Sequence, residues 1–161
     1  MIRNLTIVLV YAALTACASA PAAKPVAKVS AAAAAATVPN EGLPPQKLAP
    51  GDCGLFLWGM SPPRKFVFFA KASSGDGLVL IDDQPKTLSM ATAGGDVFGQ
   101  FLTIMEFAAS APAQRVRITL KPGEILEGGQ RVESGNILFI GADGWETVLP
   151  VTGVRACMPG G

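Results

Sequence analysis

The sequence predicts an all-β domain, a small antiparallel barrel or sandwich, over residues 49–161. Three observations carry this expectation. Short apolar runs alternate with turn signals at the spacing of a many-stranded sheet fold. Seventeen of the eighteen glycines fall in this stretch, which marks it as rich in tight turns. Residues 115–121 (Arg-Val-Arg-Ile-Thr-Leu-Lys) alternate polar and apolar at every step, the period of a strand with one buried face.

Taken in order, the expected strands are 54–58, 65–71, 78–82, 87–91, 100–107, 114–121, 130–133, 137–140 and 146–151, with a final 154–157. Between them lie Ser61-Pro62-Pro63, Gly75-Asp76-Gly77, Asp83-Gln84-Pro85, Ala93-Gly94-Gly95-Asp96, Lys121-Pro122-Gly123-Glu124, Ser134-Gly135-Asn136 and Ala142-Asp143-Gly144. Each supplies a proline that fixes φ or a glycine that tolerates positive φ. Lys121-Pro122-Gly123-Glu124 has Pro and Gly where a type II turn wants them. Phe66-Val67-Phe68-Phe69 and Leu78-Val79-Leu80-Ile81 are apolar on both faces, so they are expected to be covered on two sides or to meet a partner. Residues 101–109 are ambiguous. Phe101, Ile104, Met105 and Ala108 also fit helical spacing, which leaves strand or helix open there.

About 113 residues make one domain and suffice for a core. The domain carries nine basic and eleven acidic side chains, which leaves no footprint for nucleic acid and no polybasic patch for lipid headgroups. Residues 17–48 have a different character. They are rich in Ala, Pro, Lys and Val, with six consecutive alanines at 31–36 and no aromatic residue. Such a segment has little to bury and reads as a disordered linker.

Residues 1–16 read as an export signal. Arg3 and the amino terminus are positive, and an apolar run follows from Leu5 to Ala16. That run is shorter than the roughly 20 residues of a membrane span. Leu14-Thr15-Ala16-Cys17 resembles the lipobox of bacterial lipoproteins. The resemblance implies cleavage before Cys17, a diacylglyceryl group on its thiol and an acylated new amino terminus, and several acyl chains anchor stably. Ala18 and Ser19 after the cysteine imply the periplasmic face of the outer membrane rather than the inner membrane. The other reading is an ordinary signal cut after Ala18-Ser19-Ala20, which would leave Pro21 just past the cut.

Export to an oxidising compartment makes Cys53 and Cys157 an expected disulfide joining the start of the domain to its end. A closed loop of about 105 residues stabilises by roughly 4–5 kcal/mol in the chain-entropy treatment. No Cys-x-x-Cys spacing suggests redox work.

Beyond the leader there is no histidine and no tyrosine. A Ser-His-Asp triad and a His-containing zinc site cannot be built, and two cysteines cannot make an all-cysteine site. No cofactor or metal is expected. Asp82-Asp83 reads as a turn rather than a dyad, and the glycine-rich 93–100 stretch lacks the Lys-Ser/Thr of a phosphate-binding loop. Two carboxylates such as Glu106 and Glu124 are the residual route to a hydrolase.

Two further resemblances concern short stretches. The segment from Gly129 to Leu138 has the Gly-x-x-Val-x-x-Gly-x-x-Leu rhythm of biotinyl and lipoyl hammerhead domains, without their cofactor lysine, and implies a β-turn–strand unit. A lipid-anchored, disulfide-bonded β domain is also similar in layout to membrane-bound lysozyme inhibitors, with Ser134-Gly135 and then Phe139 and Trp145 in place of their Ser-Gly-x-x-Tyr segment. The leading expectation is a non-catalytic envelope lipoprotein that binds an envelope protein or cell-wall partner. Its contact residues are expected among Phe56, Trp58, Ser134 and Trp145, although most of the aromatics Phe56, Trp58, Phe68, Phe69 and Trp145 are expected in the core.

Overall fold

The computed structural model describes residues 42–110 and 113–160. Alternation decides which way each side chain turns. In β1 (Cys53–Gly59), Leu55 and Leu57 are fully buried, and Phe56 and Trp58 therefore face outward. The same logic runs through β2 (Phe66–Lys71), β3 (Asp76–Ile81), β4 (Gln84–Phe98), β5 (Phe101–Ser110), β6 (Ala113–Leu126), β7 (Gly129–Ile140) and β8 (Glu146–Cys157). Each strand pairs antiparallel with the next, and β1 pairs with β8 from Cys53 opposite Cys157 to Gly59 opposite Val151. The sheet is thus a closed eight-stranded up-and-down barrel, not a sandwich, and closure removes the exposed sheet edges. No helix occurs among the described residues, and 101–109 is strand.

The interior is filled by side chains such as Leu57, Phe68, Val79, Phe107, Ile118 and Ile137. Each contributes about 1.5–3 kcal/mol by leaving water. Phe68 and Phe107 meet with ring centroids 5.3 Å apart because Gly77 leaves room for them. The outer wall of β5 and β6 carries Glu106, Arg115 and Arg117.

Several expected turns lie inside strands. Ser134-Gly135-Asn136 and the intended break at 152–153 fall within β7 and β8, where the ladder continues through a register shift between Val132 and Gly135. The β-turn–strand unit implied over residues 129–138 is therefore one continuous, bulged strand. Lys121-Pro122-Gly123-Glu124 lies in β6, with register shifts on both sides of Pro122. Proline is tolerated there because the ladder with β5 ends at Thr119, so that edge needs no donor. Residues 93–96 belong to β4, and the chain reverses at Gly99-Gln100 instead. Bulges absorb the glycines that read as turns. The turn expected at Asp83-Gln84-Pro85 falls one residue earlier: Asp82-Asp83 form a two-residue connection with φ of 52° and 56°, and Gln84 and Pro85 begin β4.

The folded unit also begins earlier than residue 49. Gly42 bridges to Phe66, the Leu43 N–H donates to the Phe66 carbonyl at 2.7 Å, and Leu43 is only 4% exposed. The Gly51 N–H donates to the Met158 carbonyl at 3.1 Å. Residues 42–51 therefore form a strap down the outer face of β1 and β2, which corrects the linker reading for 42–48. Beneath it lies an aromatic cluster with ring centroids 5.0 Å apart for Phe56–Phe69 and 5.1 Å for Trp58–Phe66. The second apolar face of β2 is thus covered by neighbouring rings and the strap, not by a second sheet. Residues 1–16, Cys17 and the linker through residue 41 lie outside the described residues.

Candidate functional site

The two ends of the barrel differ. At one end the hairpin between β4 and β5 folds inward. Phe98 and Phe101 are 1% and 5% exposed and plug the opening. The Arg155 guanidinium lies 5.8 Å from the centre of the Phe98 ring, with Nη1 3.4 Å from Gln100 Oε1. Gly99 has φ of +63°, and a Cβ there would sit 2.6 Å from Arg155 Nε, so only glycine lets the hairpin tip approach. The Cys53–Cys157 disulfide closes the β1–β8 seam at this same end, as expected.

The opposite end is open. The connections 60–65 and 82–83 and the start of β8 border a cleft of about 500 Å³. Its walls are Val67, Ile81, Phe139, Val148 and Leu149, with Pro62 and Pro63 in the β1–β2 connection. A neighbouring cleft of about 190 Å³ shares Ile81, Asp82, Phe139 and Thr147 and is bordered by Arg115 and Trp145. Eight strands make a barrel just wide enough for packed side chains or one small ligand. Here side chains fill the middle and the mouth is left as an apolar cup, within the size range of small-molecule sites. Val148 is exposed at its edge, Trp145 (79% exposed) borders the neighbouring cleft, and Met60 is exposed at the start of the 60–65 connection. The rim is polar. Lys65 Nζ is 2.7 Å from Asp83 Oδ1, Asp82 borders both clefts, and the Trp145 N–H donates to Asp143 Oδ1 at 3.1 Å.

The residues expected at a contact surface do not converge. Trp145 is on the open rim. Phe56 and Trp58 are half-buried on the outer wall, and of the five aromatics only Phe68 is in the barrel interior. Phe68 and Phe69 are buried, Phe69 on the outer face, so the expectation that most of the five form the core is corrected for Phe56, Trp58 and Trp145: with Leu55 and Leu57 pointing in, Phe56 and Trp58 must point out. Ser134 lies inside β7 at the bulge, opposite Lys121. It is about 20 Å along the strand from the connection that carries Trp145. The Ser134-Gly135 pair is therefore in a barrel wall rather than in a loop.

The carboxylates are also apart. Glu106 lies on the outer wall of β5, hydrogen-bonded by Arg117 Nε and by Thr92 Oγ1 at 3.3 Å. The Arg117 hydrogen bond holds its carboxyl below the usual glutamate range, the wrong direction for a proton donor. Glu124 is exposed, and Arg117, the partner of Glu106, lies about 20 Å from it along β6. A glycosidase pair needs separations of roughly 5–9.5 Å. No group of three His, Cys, Asp or Glu side chains suited to a metal ion occurs among the described residues.

Sequence reasoning missed the cup-forming residues Val67, Ile81, Phe139 and Leu149. The available signal was their position, each an apolar residue at or near the open end of its strand. Comparisons with protein families, with curated proteins and with solved structures find no match to this chain.

Proposed function

We propose that this protein is a lipid-anchored, non-catalytic receptor of the bacterial envelope that binds an apolar group in the open end of its barrel. The observation that carries the binding half is the asymmetry of the ends. One is sealed by Phe98, Phe101 and Arg155, and the other holds an apolar-walled cup of about 500 Å³ with a polar rim. Exposed apolar groups gathered around a concavity mark a binding surface more than singly scattered ones do.

The anchor half rests on Leu14-Thr15-Ala16-Cys17. About 24 residues lie between Cys17 and Gly42, where the described chain begins by bridging to Phe66.

Titration with N-phenyl-1-naphthylamine, a neutral apolar fluorophore, tests the binding half. Its emission should rise to saturation at one probe per barrel. Val148→Lys, at an exposed cup position, should abolish the rise with no change in fold. Val97→Lys, exposed at the sealed end, should leave it intact. Equal responses from the two variants would refute the assignment.

A further inference from the structure

A third concavity lies on the outer wall, away from the cup floor. It measures about 340 Å³ and is lined by Trp58, Arg64, Arg131, Thr152, Gly153 and Val154. Its construction follows from the register. Trp58 on β1 pairs with Phe66 on one side and with Thr152 on the other. The Phe66 ring covers one side of the indole, with centroids 5.1 Å apart and an interplanar angle of 28°. The Phe56 ring also stacks near it, with centroids 6.4 Å apart, and the cleft beside Trp58 is lined by Thr152, which is small, and Gly153, which has no side chain. Thr152 Oγ1 donates to the Val132 carbonyl at 2.9 Å, so its oxygen is held in place. Across this floor Arg131 stands opposite Val154 on β7, and Arg64 enters from the β1–β2 connection.

The two arginines are distinctive because of what they lack. Lys65, Lys71, Arg117 and Lys121 are ion-paired. Lys86 donates to Gln114, Arg115 acts on the Glu106 carboxylate, and Arg155 is held by Phe98 and Gln100. Of the nine basic residues in the barrel, Arg64 and Arg131 alone have no partner among the described residues, and both line this one cleft. No acidic side chain lines it. Two arginines and an indole lining one cleft without a carboxylate match an anion carried on a ring. The forks bind oxyanion oxygens bidentately and the indole stacks on the ring.

We infer that this cleft is an anion-binding site for a sugar bearing a carboxylate or phosphate, separate from the apolar cup. The pyranose lies against Trp58, and its charged group sits between Arg64 and Arg131. The site does not depend on the cup or on the lipid anchor.

The chain has two tryptophans, so Trp145→Phe leaves Trp58 as the sole reporter. In that background, glucuronate and glucose 6-phosphate should each quench Trp58 emission to saturation, and glucose at the same concentrations should not. The tighter of the two anions identifies the group as carboxylate or phosphate. Arg64→Gln with Arg131→Gln should raise the dissociation constant at least tenfold. Both positions are exposed, so the fold should be unaffected, and an unchanged circular-dichroism spectrum checks this. Val148→Lys, which lies in the cup, should leave sugar binding unchanged. Equal quenching by glucose, no saturable response to either anion, or full affinity in the double variant would each overturn the inference.

Discussion

Removing the Cys53–Cys157 bridge should lower stability by an amount the topology sets. The two cysteines face each other at the end of the β1–β8 ladder, 104 residues apart in sequence. Six further residue pairs, from Gly54–Ala156 to Gly59–Val151, hold the seam in the native state without the sulfurs. The bridge therefore acts mainly on the unfolded chain. Freeing a loop of this length stabilises the unfolded state by about 4.7 kcal/mol in the chain-entropy treatment. With an m-value of about 1.5 kcal/mol per molar urea, the midpoint should fall by about 3 M. That is a large share of the roughly 5–15 kcal/mol that holds a domain folded. The assay is urea unfolding of Cys53→Ser/Cys157→Ser against the oxidised parent, followed by far-ultraviolet circular dichroism. The variant should be native in the absence of urea, unfold at a much lower midpoint and show a slightly larger m-value. A midpoint shift below 1 M would refute the loop-entropy reasoning. A barrel already unfolded without urea would refute the claim that the seam pairs without help.

Other consequences are equally direct. Gly77→Ala would place a methyl 2.8 Å from Phe68 Cε2 and 3.0 Å from Phe107 Cε1, and should cost about 1–3 kcal/mol, read as a thermal midpoint lower by roughly 4–12 °C. An unchanged midpoint would show that the two rings shift freely. Glu106 is held below its ordinary value of 4.5 chiefly by the Arg117 hydrogen bond, and Asp52 below 3.8 chiefly by the Ala49 N–H and then Lys71. Lowered carboxyls stabilise the fold above their unfolded values and lose that contribution as pH falls through the folded ones. Stability should hold above pH 4.5 and decline progressively below it, and Glu106→Gln should flatten part of the decline; an identical pH profile would count against the Arg117 pairing. Cys17→Ser should end palmitate incorporation in the native host and release the protein from the membrane fraction. Persistent labelling would contradict the anchor assignment.

The fold class was legible because the chain alternates where one face is buried. Residues 115–121 read as a strand and are one. The disulfide was legible because Cys53 and Cys157 are the only two cysteines in the domain. Strand length was not legible. Pro122, Gly123, Gly135 and Gly153 look like turn residues, but long antiparallel strands accommodate them as bulges or at positions unpaired on one side. Sidedness failed for a different reason. Phe66 to Ala70 is an unbroken apolar run with no polar residue inside it to mark the outer face, so only the register with β1 shows that Phe68 is interior while Phe66 and Phe69 are not. The strap was hidden by composition, since Leu43 and Leu48 sit among prolines and lysine and read as linker. The candidate cup was hidden because its residues come from the ends of β2, β3, β7 and β8, which only barrel closure brings together.

Binding at the open mouth is tested most directly by mapping the bound probe on the barrel. Backbone amide resonances of the folded domain would be followed by nitrogen–proton correlation spectra during titration with N-phenyl-1-naphthylamine. Shifts should concentrate at 59–67, 80–83 and 139–149, the residues around the cup. Shifts centred instead on 94–104 and 120–130, at the sealed end, or spread evenly over the wall, would contradict the account.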